Sequence, residues 1–333
     1  MKNQKIYLIA FIAFIIICLS LFCFSLTVGS YDLSINDILE ILTGTNSSLI
    51  QQNVFYNLRL PRVVMGLFTG LVLGLAGAVY QMLFSNPLAS PDLTGVASGA
   101  SLGAAGAIVI GAGTTVEKMF GAFIFGMLSL ILVIVLVKTM GMQKASAYIL
   151  AGIVISSLAD AGIMMFKYMA DPLGQLATIE FWTMGSLAAI TADKMWVSLF
   201  SGLIPLLILC LLHRQIVILS LGDENAQYLG INAKWQRAVI LILTTWMVAS
   251  VIAITGVISF VGLIAPHITY LMLKKRTGYF YIISSLVGAV LILVADMLAR
   301  MLTSGVELPL SILTILFSTP VLVFWMYKQR GKI

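Results

Sequence analysis

Val63-Val-Met-Gly-Leu-Phe-Thr-Gly-Leu-Val-Leu-Gly-Leu-Ala-Gly-Ala-Val-Tyr-Gln-Met-Leu-Phe84 runs for 22 residues without a charged side chain. A helix of that length rises about 33 Å, enough to cross the ~30 Å hydrocarbon core of a bilayer. Gly66, Gly70 and Gly74 are spaced by four, with Gly77 close behind. Such spacing leaves one helix face bare of side chains, so that a second backbone can settle on it. Gly95, Gly99 and Gly103 repeat the device in the next apolar run. These faces serve helix packing, and lining a path through the membrane is compatible with that use.

Nine further apolar runs flank this one, at 6–28, 93–112, 119–137, 148–168, 195–212, 238–255, 259–273, 279–298 and 308–327. The chain therefore reads as an all-α polytopic membrane protein of about ten transmembrane helices, with residues 1–333 forming one transmembrane domain. The run at 6–28 follows Lys2 and Lys5 as a signal peptide would. Its apolar length exceeds a signal core and no cleavage site follows, so it reads as a retained helix. The run at 259–273 is short for a full span, which is tolerated when a segment is buried among helices or lines a cavity.

Composition excludes a water-soluble domain. Of 333 residues 60% are hydrophobic and only 10% charged, too few to build a solvated exterior. The net charge of +6 is spread along the chain without a basic cluster interleaved with aromatics, so nucleic acid is not a partner. Cys18, Cys23 and Cys210 sit singly in apolar runs, and neither they nor His213 and His267 make a metal-ligand set. No G-x-x-x-x-G-K-[ST] loop is present, so no nucleotide site and no catalytic set are expected.

Orientation follows from the basic residues. An even number of spans puts both termini on one side. Placing them in the cytoplasm assigns Lys2, Lys5, Lys138, Lys144, Arg214, Lys234, Arg237, Lys274, Lys275, Arg276, Lys328, Arg330 and Lys332 inside, and leaves Arg59, Arg62, Lys118, Lys167, Lys194 and Arg300 outside. Residues 29–58 then form an external loop with a short helix at 35–42, and 171–191 a second, part-helical external stretch. The segment 214–236 is the longest internal connection.

Several segments carry recognisable chemistry. Arg59-Leu-Pro-Arg62 leads into Gly77-Ala-Val-Tyr-Gln81, Asn86-Pro-Leu-Ala89 and Gly95-Val-Ala-Ser-Gly99. Leu221-Gly-Asp-Glu224 precedes Tyr228-Leu-Gly230. Gly256-Val-Ile-Ser-Phe-Val-Gly262-Leu-Ile-Ala-Pro266-His267 is followed by Ala295-Asp296-Met-Leu-Ala-Arg300 and Glu307-Leu-Pro309. The ordered set, from about Asn57 to the end, resembles the FecCD-type permeases, the membrane subunits of ABC importers for ferric siderophores, haem and cobalamin.

Arg59, Arg62 and Arg300 oppose the positive-inside bias, and arginine forms bidentate pairs with carboxylates. They either dock an acidic partner or pair locally, as Arg300 can with Asp296 one turn earlier. The resemblance implies docking of an extracytoplasmic substrate-binding protein. Internally, Gly222-Asp223 reads as a helix start, Gly230 as a stop, and Asn232 as the cap of a second helix carrying Lys234 and Arg237. A plain solvated loop is the alternative. The resemblance implies a coupling helix pair, at about 220–234, that seats in a cytoplasmic ABC ATPase dimer. That assigns Leu221, Gly222, Asp223, Glu224, Ala226, Leu229, Gly230 and Ala233 to coupling.

The prolines of 85–91 break helix, and 143–147 is a short polar connection. In similar permeases these two loops close the cytoplasmic end of the path, which nominates Asn86, Pro87, Leu88 and Ser146 as gate residues. Asp160 is expected to line the path or form a proton site, Asp296 to cap its helix or pair with Arg300, and His267 to serve carbonyls near an internal helix end. A second permease copy or a paralogue completes the channel in the family. No cofactor is implied, and with no hard-oxygen ligand cluster for bare Fe³⁺ the cargo is expected to arrive chelated. Ferric siderophore leads, with cobalamin and haem as alternatives and a proton-coupled secondary transporter as the rival class.

Overall fold

The computed structural model describes residues 2–45, 48–111, 113–141, 145–275, 278–302 and 307–329. Among them there is helix and connecting turn, and no strand. Gln143 of the expected gate connection, and Lys144, Arg276, Arg330 and Lys332 of the charge count, lie outside the described residues.

From the N-terminus, α1 (Lys2–Thr27) is the first span. The expected short helix at 35–42 is α2 (Ile35–Thr43), started by a capping box in which the Ser34 hydroxyl accepts from Asp37 N–H and the Asp37 carboxylate accepts from Ser34 N–H. Those bonds hold the Asp37 carboxyl below its ordinary value. Residues 49–58 were expected as loop. They instead form α3 (Leu49–Asn53) and a π-helical turn (Val54–Arg59) that feeds without a break into α4 (Leu60–Leu83).

After α4, the left-handed Gly95 and Pro87 and Pro91 before it shorten the next helix at its start. The run expected at 93–112 is α5 (Val96–Val109), with 14 residues. At about 21 Å it cannot cross a ~30 Å core alone. A 3₁₀ turn at Pro91–Thr94 extends it, tied to α4 by a 2.9 Å hydrogen bond between the Thr94 and Tyr80 hydroxyls.

Next come α6 (Thr115–Thr139), α7 (Ala145–Met169) and the short α8 (Gln175–Thr183) in the second expected external stretch. The spans α9 (Ala192–Leu211) and α12 (Ala233–Thr255) are joined by α10 (His213–Leu219) and α11 (Asp223–Tyr228). The chain ends with the short α13 (Val261–Leu273), then α14 (Gly278–Met301) and α15 (Leu310–Gln329). Among the described residues eight helices, with α3, the π turn and α4 taken as one, are long and apolar enough to cross a membrane, and α5 and α13 are shorter apolar helices. The ten expected runs are thus ten helices, two of which reach only part-way.

Helix α4 is the axis of the molecule and packs on α14, α13, α12 and α9. Its glycine face is a packing face. Gly70 lies against Gly288 and Ala289 of α14, and a methyl group at Gly77 would land on the Gly262 carbonyl of α13. The second glycine row packs likewise: Gly99 meets Ser129 and Gly103 meets Gly121, joining α5 to α6. One face of α7 covers α5 and α6, and its opposite face is bare.

Candidate functional sites

Three guanidiniums meet where α4 begins and α14 ends. Arg62 makes a two-pronged pair with Glu307, at 2.7 Å on each arm, and its Nε donates to Asp296 Oδ1 at 2.9 Å. Asp296 is wholly buried and lies 2.8 Å from Arg300 as well, so one carboxylate stands between two arginines. Arg300 also donates to the Ser25 carbonyl at 3.0 Å, the Ser25 hydroxyl at 2.6 Å and the Val28 carbonyl. Arg59, only 5% exposed, donates to the carbonyls of Leu26 and Thr27 at 2.8 Å each and to that of Tyr31.

The last carbonyls of a helix have no partner within it and carry the negative end of its dipole. Arg59 and Arg300 supply those partners for α1. The local pair expected between Arg300 and Asp296 is therefore present within a larger network that ties α1, α4 and α14 together. All three arginines nonetheless line one cleft of about 260 Å³, with Gly29, Tyr31, Leu58 and Glu307 on its walls.

The other end of α4 carries the second set. Asn86 closes the following turn, its side-chain oxygen accepting from Leu88 N–H at 2.9 Å, and Leu88 projects outward. Ser85 Oγ donates to the Ser220 carbonyl at 3.2 Å, which fastens this turn to the residue behind α10. Ser146 is exposed but already belongs to α7, so the connection expected over 143–147 is helical from Ala145 onward.

Beyond Ser220 the expected helix start and stop are present: α11 begins after Gly222 and the left-handed Gly230 ends the turn behind it. Asn232 caps the following helix, accepting from Trp235 N–H at 3.2 Å. That second helix is not a short one, however, but the first turns of the span α12. Arg237, buried in α12, grips the Asp223 carboxylate with both terminal nitrogens and clamps α11 to the span. Ala226 and Ala233 are buried and position this element from within. Leu221, Glu224, Tyr228, Leu229 and Gly230 are exposed, and Tyr228 is 89% so.

The remaining ionisable candidates separate. Asp160 is exposed on the bare face of α7. His267 is not at a helix end but inside α13, buried, with Nδ1 at 2.6 Å from the Leu263 carbonyl, Gln81 at 3.3 Å and its ring edge-on to Trp325. Among the described residues no three His, Cys, Asp or Glu side chains gather where they could hold a metal ion.

This pattern of motifs, one end rich in buried arginine and the other presenting a clamped helix, agrees with the sequence profile of the FecCD transport family, which matches residues 15–328. The chain belongs to that family. Among its FecCD relatives, the hemin transport system permease protein HmuU of Yersinia pestis is 33% identical, over 99% of this chain and 98% of the relative. The molybdate import system permease protein MolB of Haemophilus influenzae is 34% identical, over 92% of each. A solved transporter described as of the metal-chelate ABC type, in an inward-facing conformation, superposes with a TM-score of 0.85 at 31% identity, covering 96% of this chain and 98% of its own. The FecCD chain is thus an integral membrane permease subunit of the ABC importer type.

The clamp Asp223–Arg237, the link Ser85–Ser220 and the bond Arg62–Asp296 were missed from sequence. Only Arg300–Asp296 leaves a signal there, the four-residue spacing of opposite charges on one helix. Arg62 and Asp296 are separated by 234 positions, and nothing local pairs them.

Proposed function

We propose that this permease, paired with a second copy or a paralogue, imports a ferric siderophore across the cytoplasmic membrane. An extracytoplasmic binding protein delivers the cargo at the arginine cleft, and a cytoplasmic ATPase dimer drives the cycle from α11. Both termini then face the cytoplasm, in keeping with the excess of Lys and Arg on that side. Haem and cobalamin are the alternative cargoes, because the relatives handle chemically unlike ligands.

One observation carries the reading: α4 joins the two ends. Its first turn holds the arginine cleft, and about 36 Å away the turn after its last residue is bonded through Ser85 to the connector that bears α11. A push on Tyr228 and Leu229 is thereby delivered to Asn86, Pro87 and Leu88, which with Ser146 form the cytoplasmic gate. At the other end, an acidic side chain of the binding protein enters the cleft that the three arginines line, drawn by their charge while their hydrogen bonds stay on their own chain.

Cargo is tested by uptake of labelled ferric siderophores, haem and cobalamin in cells with and without this chain. Loss of siderophore uptake alone is expected. Loss of haem or cobalamin uptake alone would replace the cargo and keep the importer. For docking, substitution of Arg59 or Arg62 would also break the fold, so the rim is the better probe. Leu58 lines the cleft and is exposed. Leu58→Glu should weaken binding-protein association at least about ten-fold through like-charge contact without altering ATPase association. Unchanged binding-protein affinity would remove the docking role.

A further inference from the structure

A second cavity, of about 330 Å³, lies against the bare face of α7. Ser98 and Ser101 of α5, Asp160 and Lys167 of α7, and Thr183 at the end of α8 supply its polar wall. Its charges do not balance. Lys167 is paired with Glu180 at 2.8 Å, whereas Asp160, among the described residues, has neither ion pair nor side-chain hydrogen bond. The cavity therefore carries one uncompensated negative charge.

That charge cannot face lipid. A carboxylate in the middle of a spanning helix is costly in hydrocarbon and faces water, protein or cargo instead. Asp160 is nine residues from the end of α7 at Met169, so it sits about 14 Å deep. Its neighbours on the bare face include Val154, Leu158, Met164 and Met165, all exposed. Weakly adhesive walls with a single anionic point describe a transit path, not a tight binding pocket.

A metal ion is the wrong occupant, because one carboxylate and three hydroxyls do not complete a coordination shell. A whole chelate is too large for the volume, so only one edge of it can enter. We propose that this cavity is a transit subsite for the positively charged, hydrogen-bond-donating edge of the cargo, with Asp160 as the recognising group. The inference rests on the importer reading above and narrows its cargo to chelates that carry an ammonium group.

The test compares uptake of a ferric tris-hydroxamate bearing a free primary ammonium with that of its N-acetylated, neutral form. Cells express the full transporter, with its own binding protein and ATPase, carrying wild-type permease, Asp160→Asn or Asp160→Glu. Because the binding protein is common to all three, any change in preference belongs to the permease. Wild type should favour the ammonium form by about ten-fold, the strength of a hydrogen bond to a charged group. Asp160→Asn should bring the ratio of ammonium to neutral uptake, read within the same cells, down to about one, and Asp160→Glu should restore it. Equal uptake of the two forms by wild type, or an intact preference in Asp160→Asn, overturns the subsite. Wild type that imports haem or cobalamin but neither hydroxamate overturns the inference and leaves the importer standing. Failure to import any of these overturns both.

Discussion

Asp296 holds Arg62 with one oxygen and Arg300 with the other, at full burial. Both oxygens of this carboxylate are thus committed to guanidiniums of its own chain. Replacing it by Asn leaves two buried guanidiniums facing a neutral amide. Breaking a buried pair in this way costs about 3–5 kcal/mol. Asp296→Asn should therefore lower the melting temperature and yield of the purified permease sharply, while Glu307→Gln, at the more exposed edge of the network, should do so less. Equal melting curves for the wild type and Asp296→Asn would show that the network carries no stability. At this scale the sequence was legible in residue type and not in partnership. An arginine that opposes the positive-inside bias announces itself, but whether it serves a partner protein or the end of α1 depends on contacts 32 residues away for Arg59 and 275 for Arg300.

Among the elements, α11 has six residues and no stability of its own. It exists because Arg237 grips Asp223 and because Ala226 is buried beneath it. In the proposed cycle its exposed Tyr228 and Leu229 meet the ATPase, and the Ser85–Ser220 bond is the route from there to the proposed gate. A thiol at the gate, Leu88→Cys in a cysteine-free background, should change its rate of labelling by a soluble maleimide when the ATPase binds ATP. With Tyr228→Ala and Leu229→Ala added, that ATP effect should disappear. A gate that responds equally in both backgrounds would separate α11 from the gate. Helix existence was readable throughout, since 22 uncharged residues admit few alternatives. Helix length was not readable where Gly95 takes a left-handed conformation after two prolines, because the apolar run continues past the point where the helix begins. Nor could hydropathy reveal the π turn at 54–59, whose residues are mixed in polarity and helical only because α4 continues them.

For the whole molecule, α4 is one unbroken helix packed by bare glycine faces against α13 and α14. In the proposed cycle that close packing is what links the short connector at one end to the arginine cleft at the other. In the proposed cycle a separate ATPase supplies the energy. The most direct test is chelate uptake under two energetic conditions in cells that depend on this permease. Uptake should stop when ATP is depleted with the proton gradient intact, and should continue when the gradient is collapsed with ATP maintained. Uptake that follows the gradient and ignores ATP would contradict the account.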